Sequence, residues 1–204
     1  MYIGDMHVRI KVDLNITPVV RDDIHGHADK SLIVLHETVS PNYPGLADLI
    51  QTSNYLDSKG LGVHGVTDID GNLAWAVGER RAILYHAASG EGRVNTRSIG
   101  IEQVSRVMLD LPDNYSRWRK WWGQGKQIDI LAQLLAFLSH TEGIPLRYSN
   151  ASVPGITSHW DVSRTYNVPG GHWDCWPKHR GGYYPILRVI DEAVKYHRKW
   201  YAEE

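Results

Sequence analysis

The order of apolar patterns along this chain predicts a single α/β domain, with a central mixed β-sheet flanked by helices. Three observations predict it. Leu32–Leu35 is a short continuous apolar run, the mark of a strand buried on both faces. Residues 63–77 read as strand, Asp70-Gly71 turn and returning strand. Leu131, Leu134, Leu135 and Leu138 form one stripe at helical spacing. Strand patterns interleaved with helix patterns, without repeat, low-complexity tract or linker, fit one α/β layer architecture.

Taken in order, Met1 to Asp29 alternates weakly through Val8, Ile10, Val12, Leu14 and Ile16. That suits an N-terminal arm or edge strand over residues 1–30, with 31–204 as the main domain. His25 and His27 sit in a polar stretch that reads as a loop rather than a ligand pair. After the Leu32–Leu35 strand come His36, Glu37 and Thr38, then a turn at Pro41–Pro44. Leu46 to Leu56 keeps helical spacing and Gly60 is its stop. His64 lies in the first hairpin strand and His86 follows the second. Arg97–Val104 is a further strand with Glu102 inside it, where a carboxylate is costly to bury without a partner. Leu109–Lys126, with Trp118, Trp121 and Trp122, is a polar aromatic insertion, with a short helix as one reading and a groove lining or cap as its role. Ile128–Thr141 is the clearest helix, ended by Gly143 and Pro145, and Pro185 opens the last one.

Composition excludes several classes. The chain has 204 residues, enough for one well-buried domain, and its net charge of -1 offers no basic footprint for nucleic acid. One cysteine excludes an internal disulfide framework. Met1–Thr17 carries charges and no apolar signal core, so no secretory signal is expected, and no run approaches the ~20 apolar residues of a membrane helix. Eight tryptophans and eleven tyrosines against one phenylalanine suit carbohydrate- or peptide-lined surfaces as well as cores.

The chemistry concentrates in Ser158–Pro177, SHWDVSRTYNVPGGHWDCWP. Its prolines and glycines predict a long ordered loop rather than a helix or strand. His159, His172, Asp174 and Cys175 are all credible metal ligands. With His36 from a strand end, they can supply three ligands and leave a fourth position open, the arrangement of catalytic zinc.

These residues together resemble the zinc-dependent N-acetylmuramoyl-L-alanine amidases, the type 2 group that includes phage lysozyme-type amidases and animal peptidoglycan recognition proteins. The matching segments are VLHET at 34–38, VHGVTDIDGNLAWAV at 63–77, YHAASGEGRVNTRSIGIEQV at 85–104 and SHWDVS at 158–163. The loop ending GGHWD is most similar to those of actinobacteriophage endolysins. The resemblance implies a Zn²⁺ cleft at one sheet edge, with His36, His159 and Asp174 as ligands and Cys175 as the alternative third ligand. It implies Glu102 as general base and His172 in place of a lysine that steadies the oxyanion. His64 and His86 match histidines near the cleft, and Asp161 is a candidate to orient His159. The chain departs from relatives in reading Asp174-Cys175-Trp176-Pro177 instead of Asp-Pro-Gly, and in having Val63 where some phage relatives have tyrosine.

The implied reaction is hydrolysis of the amide between N-acetylmuramic acid and L-alanine in bacterial peptidoglycan. A phage lysis enzyme is the implied setting: made in the host cytoplasm, it reaches the wall through membrane holes made by a holin, without itself inserting into the membrane. Three rivals are a non-catalytic peptidoglycan-binding module of the same fold, a zinc hydrolase of another substrate, and a cytoplasmic muropeptide-recycling amidase.

Overall fold

Burial of Leu32–Leu35 on both faces sets the architecture. The computed structural model describes residues 1–4, 8–16, 26–39, 46–76, 78–87, 94–105, 125–168, 171–172 and 174–202. The four apolar residues open β4 (Leu32–Val39) and have no solvent exposure. Each such side chain contributes roughly 1.5–3 kcal/mol by leaving water. That two-sided burial requires strands on both edges and helices on both faces.

Ahead of β4 lie β1 (Tyr2–Gly4), β2 (Arg9–Lys11) and β3 (Leu14–Asn15). After it come α1 (Ala47–Ser58), β5 (Gly65–Thr67), β6 (Leu73–Trp75), the single turn α2 (Val94–Arg97) and β7 (Ser98–Ser105). The chain continues through α3 (Lys126–Glu142), β8 (Gly155–Ser158), α4 (His159–Thr165) and α5 (Ile186–Tyr201). The main sheet runs β3-β6-β5-β7-β4-β8, while β1 and β2 form a separate antiparallel pair. Among the described residues of the main sheet only β5 and β6 pair antiparallel, so it is mixed. Their turn closes as the Asp70-Gly71 signal predicts. The Asp68 carboxylate accepts from the backbone N–H of Asp70 and Asn72, and Gly71 takes φ +83°.

Side-chain alternation along β4 assigns the faces. Ile33 and Leu35 join the large core with α3 and α5, while Leu32 and Val34 pack with Val94 of α2 and Val162 of α4. In β7, Ile99 and Ile101 take the large-core side and Val104 the other. The sequence stripe of α3 is buried as expected, and Gly143 ends it in the left-handed region at φ +68°. Helix α1 ends at Ser58 and Gly60 turns the chain away at φ +65°.

Two expectations change. Ser158–Pro177 is not one loop: Ser158 closes strand β8, and residues 159–165 are helix α4. The local reason is an N-cap. The Ser158 hydroxyl accepts from the Asp161 N–H, which satisfies an orphan donor of the first turn. A turn of helix, α2, takes in Arg97, so the strand expected from Arg97 starts at Ser98. The Pro41–Pro44 turn, His25 and the tryptophans at 118, 121 and 122 lie outside the described residues. His27 is exposed and makes an isolated bridge with Ala82. Among the described residues no helix is long and apolar enough to cross a membrane.

Candidate metal centre and active site

Parallel pairing places His36 of β4 directly opposite Glu102 of β7. Both continue the face of Val34 and Gly100, away from the α3–α5 core. Glu37 faces the other way, where its carboxylate accepts from the Tyr183 hydroxyl at 2.6 Å. Strand β8 is the sheet edge beside β4, and His159 follows it as the first residue of α4. The two histidines therefore meet where β8 ends beside β4. His36 lies within its strand, which runs on to Val39, and not at a strand end as the apolar run suggested.

They meet through their Nδ1 atoms, 3.0 Å apart. Asp174 closes the group: its Oδ2 lies 3.1 Å from His159 Nδ1 and 3.6 Å from His36 Nδ1. One donor atom from each of His36, His159 and Asp174 falls within 4.8 Å of the others. Two imidazole nitrogens and a carboxylate oxygen, converging from three segments, are a donor set zinc accepts. Facing lone pairs at this distance repel unless a proton or cation lies between them, so the residues fit a metal ion. Burial, with repulsion from His159, lowers His36 to about 4, so its ring is neutral near pH 7. For Asp174, burial works upward, but the His159 and His36 imidazoles hold the carboxyl well below the carboxylate range.

Asp174 and Cys175 part company at a turn. Cys175 sits in the left-handed region at φ 56°, so the segment is not extended there. Asp174 faces the histidines, whereas Cys175 is fully buried in the large core behind the sheet. Its sulfur accepts from Gln103 Nε2 at 3.7 Å, and the same amide donates to the His36 carbonyl. Tyr184 donates to Gln103 Oε1 at 2.6 Å. The thiol is pushed well up by burial and by the surrounding carboxylates.

Glu102 is 93% hidden by its residue exposure of 7%. Burial, then repulsion from Asp174 and Glu37, raises its carboxyl well above the usual range, which makes it a stronger proton acceptor. His172 stacks on His159 with ring centres 3.8 Å apart, and its Nδ1 lies 3.9 Å from Asp174 Oδ1. Its side chain is half exposed. The Ser163 hydroxyl of α4 accepts from the His172 N–H and pins the loop to that helix.

Two further histidines, His64 and His86, lie beside this group. His64 has no exposure; its Nδ1 accepts from the Gly100 N–H and its Nε2 donates to the Ala82 carbonyl. Burial and the Lys30 ammonium lower it to about 3. His86 lies between His36 and Ser98, with 3.0 Å contacts to both. Asp161 does not reach His159. Its oxygens accept from the Tyr148 and Ser158 hydroxyls at 2.6 Å each, fastening the start of α4. His159 Nε2 is buried and has no hydrogen-bond partner among the described residues.

A groove of about 480 Å³ leads from His172 along α4 between Trp160, Arg164, Asn167 and Gly171. Trp160 stacks on Trp176, and the Arg164 and Arg180 guanidinium groups lie 5.4 and 5.9 Å from its ring. Sequence reasoning missed Ser98, Gln103 and Tyr184. Ser98 shares the alternation of Gly100 and Glu102, a period-2 signal from which its face could have been read.

Comparison with known proteins bears on the fold and the family. No curated protein matches the chain. Among solved structures, the chain is similar to Staphylococcus aureus hydrolase AmiA in complex with its ligand. That likeness has 16% identity and a TM-score of 0.59, over 93% of this chain and 86% of that one. A mutant endolysin from Bacillus subtilis is 19% identical, with a TM-score of 0.57 over 92% and 99% of the two chains. N-acetylmuramoyl-L-alanine amidase LysC from Clostridium intestinale is 18% identical, with a TM-score of 0.52 over 89% and 96%. At these identities the likeness is one of fold. The family profile described as N-acetylmuramoyl-L-alanine amidase matches residues 26–177, from before the His36 strand to the end of the Asp174 loop. Because that match spans most of the chain and every part of the three-residue group, the chain belongs to the N-acetylmuramoyl-L-alanine amidase family.

Proposed function

We propose that this chain is a zinc-dependent amidase that cuts the bond between N-acetylmuramic acid and L-alanine in bacterial peptidoglycan. The observation that carries the proposal is the convergence of His36, His159 and Asp174 within 4.8 Å, with His36 paired directly opposite Glu102. His36, His159 and Asp174 would hold the ion, with Cys175 turned into the core. Zinc, when bound, supplies Lewis acidity that polarises the scissile carbonyl and favours attack by water. Glu102 takes the proton of the attacking water at its carboxylate and passes it to the departing alanine nitrogen. His172, half exposed beside the group, donates a hydrogen bond to the oxygen that gains charge. The groove along α4 gives the substrate room, and its tryptophan and arginine walls suit sugar faces and peptide carboxylates.

The proposal includes a phage lysis role with release to the wall through a holin; solved structures of similar fold include endolysins. The intact three-residue group favours an enzyme over a binding module of the same fold. Metal analysis joined to mass spectrometry of digested wall tests the reading. One zinc per chain and new L-alanine amino termini are expected. Active protein without stoichiometric metal, or cleavage at a different bond, refutes it.

A further inference from the structure

Behind His36 runs a chain of buried hydrogen bonds whose direction is fixed at its far end. The Ser98 hydroxyl oxygen lies 2.6 Å from the Val94 carbonyl oxygen. A carbonyl cannot donate, so the single hydroxyl proton must lie on that line. Ser98 Oγ can then only accept from His86 Nε2, 3.0 Å away. A neutral imidazole that donates from Nε2 accepts at Nδ1. His86 Nδ1 faces His36 Nε2 at 3.0 Å, so His36 carries its proton on Nε2. Its Nδ1 is left as a bare lone pair, turned towards His159 and Asp174.

We propose that Ser98 and His86 are positioning residues that set the His36 tautomer and orient its Nδ1 towards the metal. Gly100 is part of the device. A Cβ there would stand 2.4 Å from His86 Cγ and 2.6 Å from its Nδ1, so only glycine lets the ring lie against β7. All three residues lie at alternate positions of one strand or in contact with it, and Ser98 and Gly100 lead directly to Glu102. The same face of β7 thus carries the base and the support of the ligand. His159 contrasts with this: its Nε2 has no partner among the described residues. Outer hydrogen bonds to a metal-bound histidine fix its tautomer and ring orientation, and their loss typically costs ~10–100-fold in affinity.

The proposal rests on the zinc reading, and its test reads binding and protonation rather than turnover. In metal-free protein, nitrogen NMR of the imidazoles should show the His36 proton on Nε2. Ser98→Ala should weaken zinc binding about 10-fold. Ser98→Thr, which keeps the hydroxyl, should stay near wild type, with similar metal-free melting temperatures for the two variants. His86→Asn, which keeps an acceptor near the Nδ1 position, should bind zinc more tightly than His86→Leu. A His36 proton on Nδ1, wild-type affinity in Ser98→Ala, or equal loss in the Ala and Thr variants overturns the relay. If Ser98→Ala does not fold, the wild-type tautomer and the His86 pair decide. Protein that binds zinc in this way but leaves cell walls intact would instead sink the proposed function and leave the relay standing.

Discussion

The two halves of the candidate centre are built differently. His36 and Glu102 stand on paired interior strands, in register, over a core with no solvent exposure. His36 has a hydrogen-bonded neighbour at Nε2 and its backbone carbonyl is held by Gln103. His159, His172 and Asp174 come from the edge: the first residue of a seven-residue helix and a loop that turns at Cys175. They are held by a helix cap, by Ser163 and by one another. The strand half is preorganised by the sheet, which fixes side-chain direction through backbone pairing. The edge half depends on contacts that form only when the loop is seated. A metal ion shared by the two would therefore stabilise the second much more than the first.

The largest expected effect tests the strand half alone. Glu102→Gln should keep zinc and fold yet lose ~10²–10⁴-fold in wall hydrolysis, because an amide cannot take up the proton. Near wild-type turnover with full metal content would make Glu102 merely structural. Next, Asp174→Ala should lose zinc and activity, while Cys175→Ser keeps both. The serine should cost only stability, about 1–2 kcal/mol, as a hydroxyl replaces a buried thiol. Loss of zinc from Cys175→Ser but not from Asp174→Ala reverses the assignment.

Removing zinc from wild-type protein should loosen the edge half selectively. At free zinc ~100 times Kd, binding adds about 2.7 kcal/mol, and chelation should lower Tm by roughly 5–11 °C. Hydrogen exchange should quicken in α4 and residues 171–175 and stay slow in β4 and β7. Uniform acceleration would erase the distinction drawn between the halves.

The smallest effect is on pH. His64 titrates near 6.5 when unfolded and is held to about 3 in the fold by burial and Lys30. Between those values the unfolded chain binds more protons, so stability is full above about 6.5 and falls as pH drops towards 3. From pH 7 to 5.5 the loss from His64 is about 1 kcal/mol. His36, lowered to about 4 by burial, acts in the same direction. Denaturant midpoints of metal-free protein at the two pH values measure it, and equal midpoints would contradict neutral buried histidines.

Much of this was legible in the chain itself. A run of four apolar residues specified an interior strand, and the histidine after it falls within that strand, which runs on to Val39. Asp70-Gly71 specified a hairpin, and the leucine stripe specified α3. Patterns of period 2 and 3.6 are local, so sequence carries them. The helix at 159–165 was hidden because prolines and glycines beside it outweighed a one-residue cap at Ser158.

Sequence by itself determined β4, the β5–β6 hairpin, β7, the main helices and the family, but not the edge strand β8. Which of Asp174 and Cys175 faces the histidines was decided by one left-handed residue at a turn over the end of the sheet. Ser98 reaches His36 through His86, and Asp161 misses His159, only because of how β7, β4 and α4 are placed. Those contacts join residues far apart in the chain, and hydrogen-bond direction depends on distances of about 3 Å that no local pattern encodes.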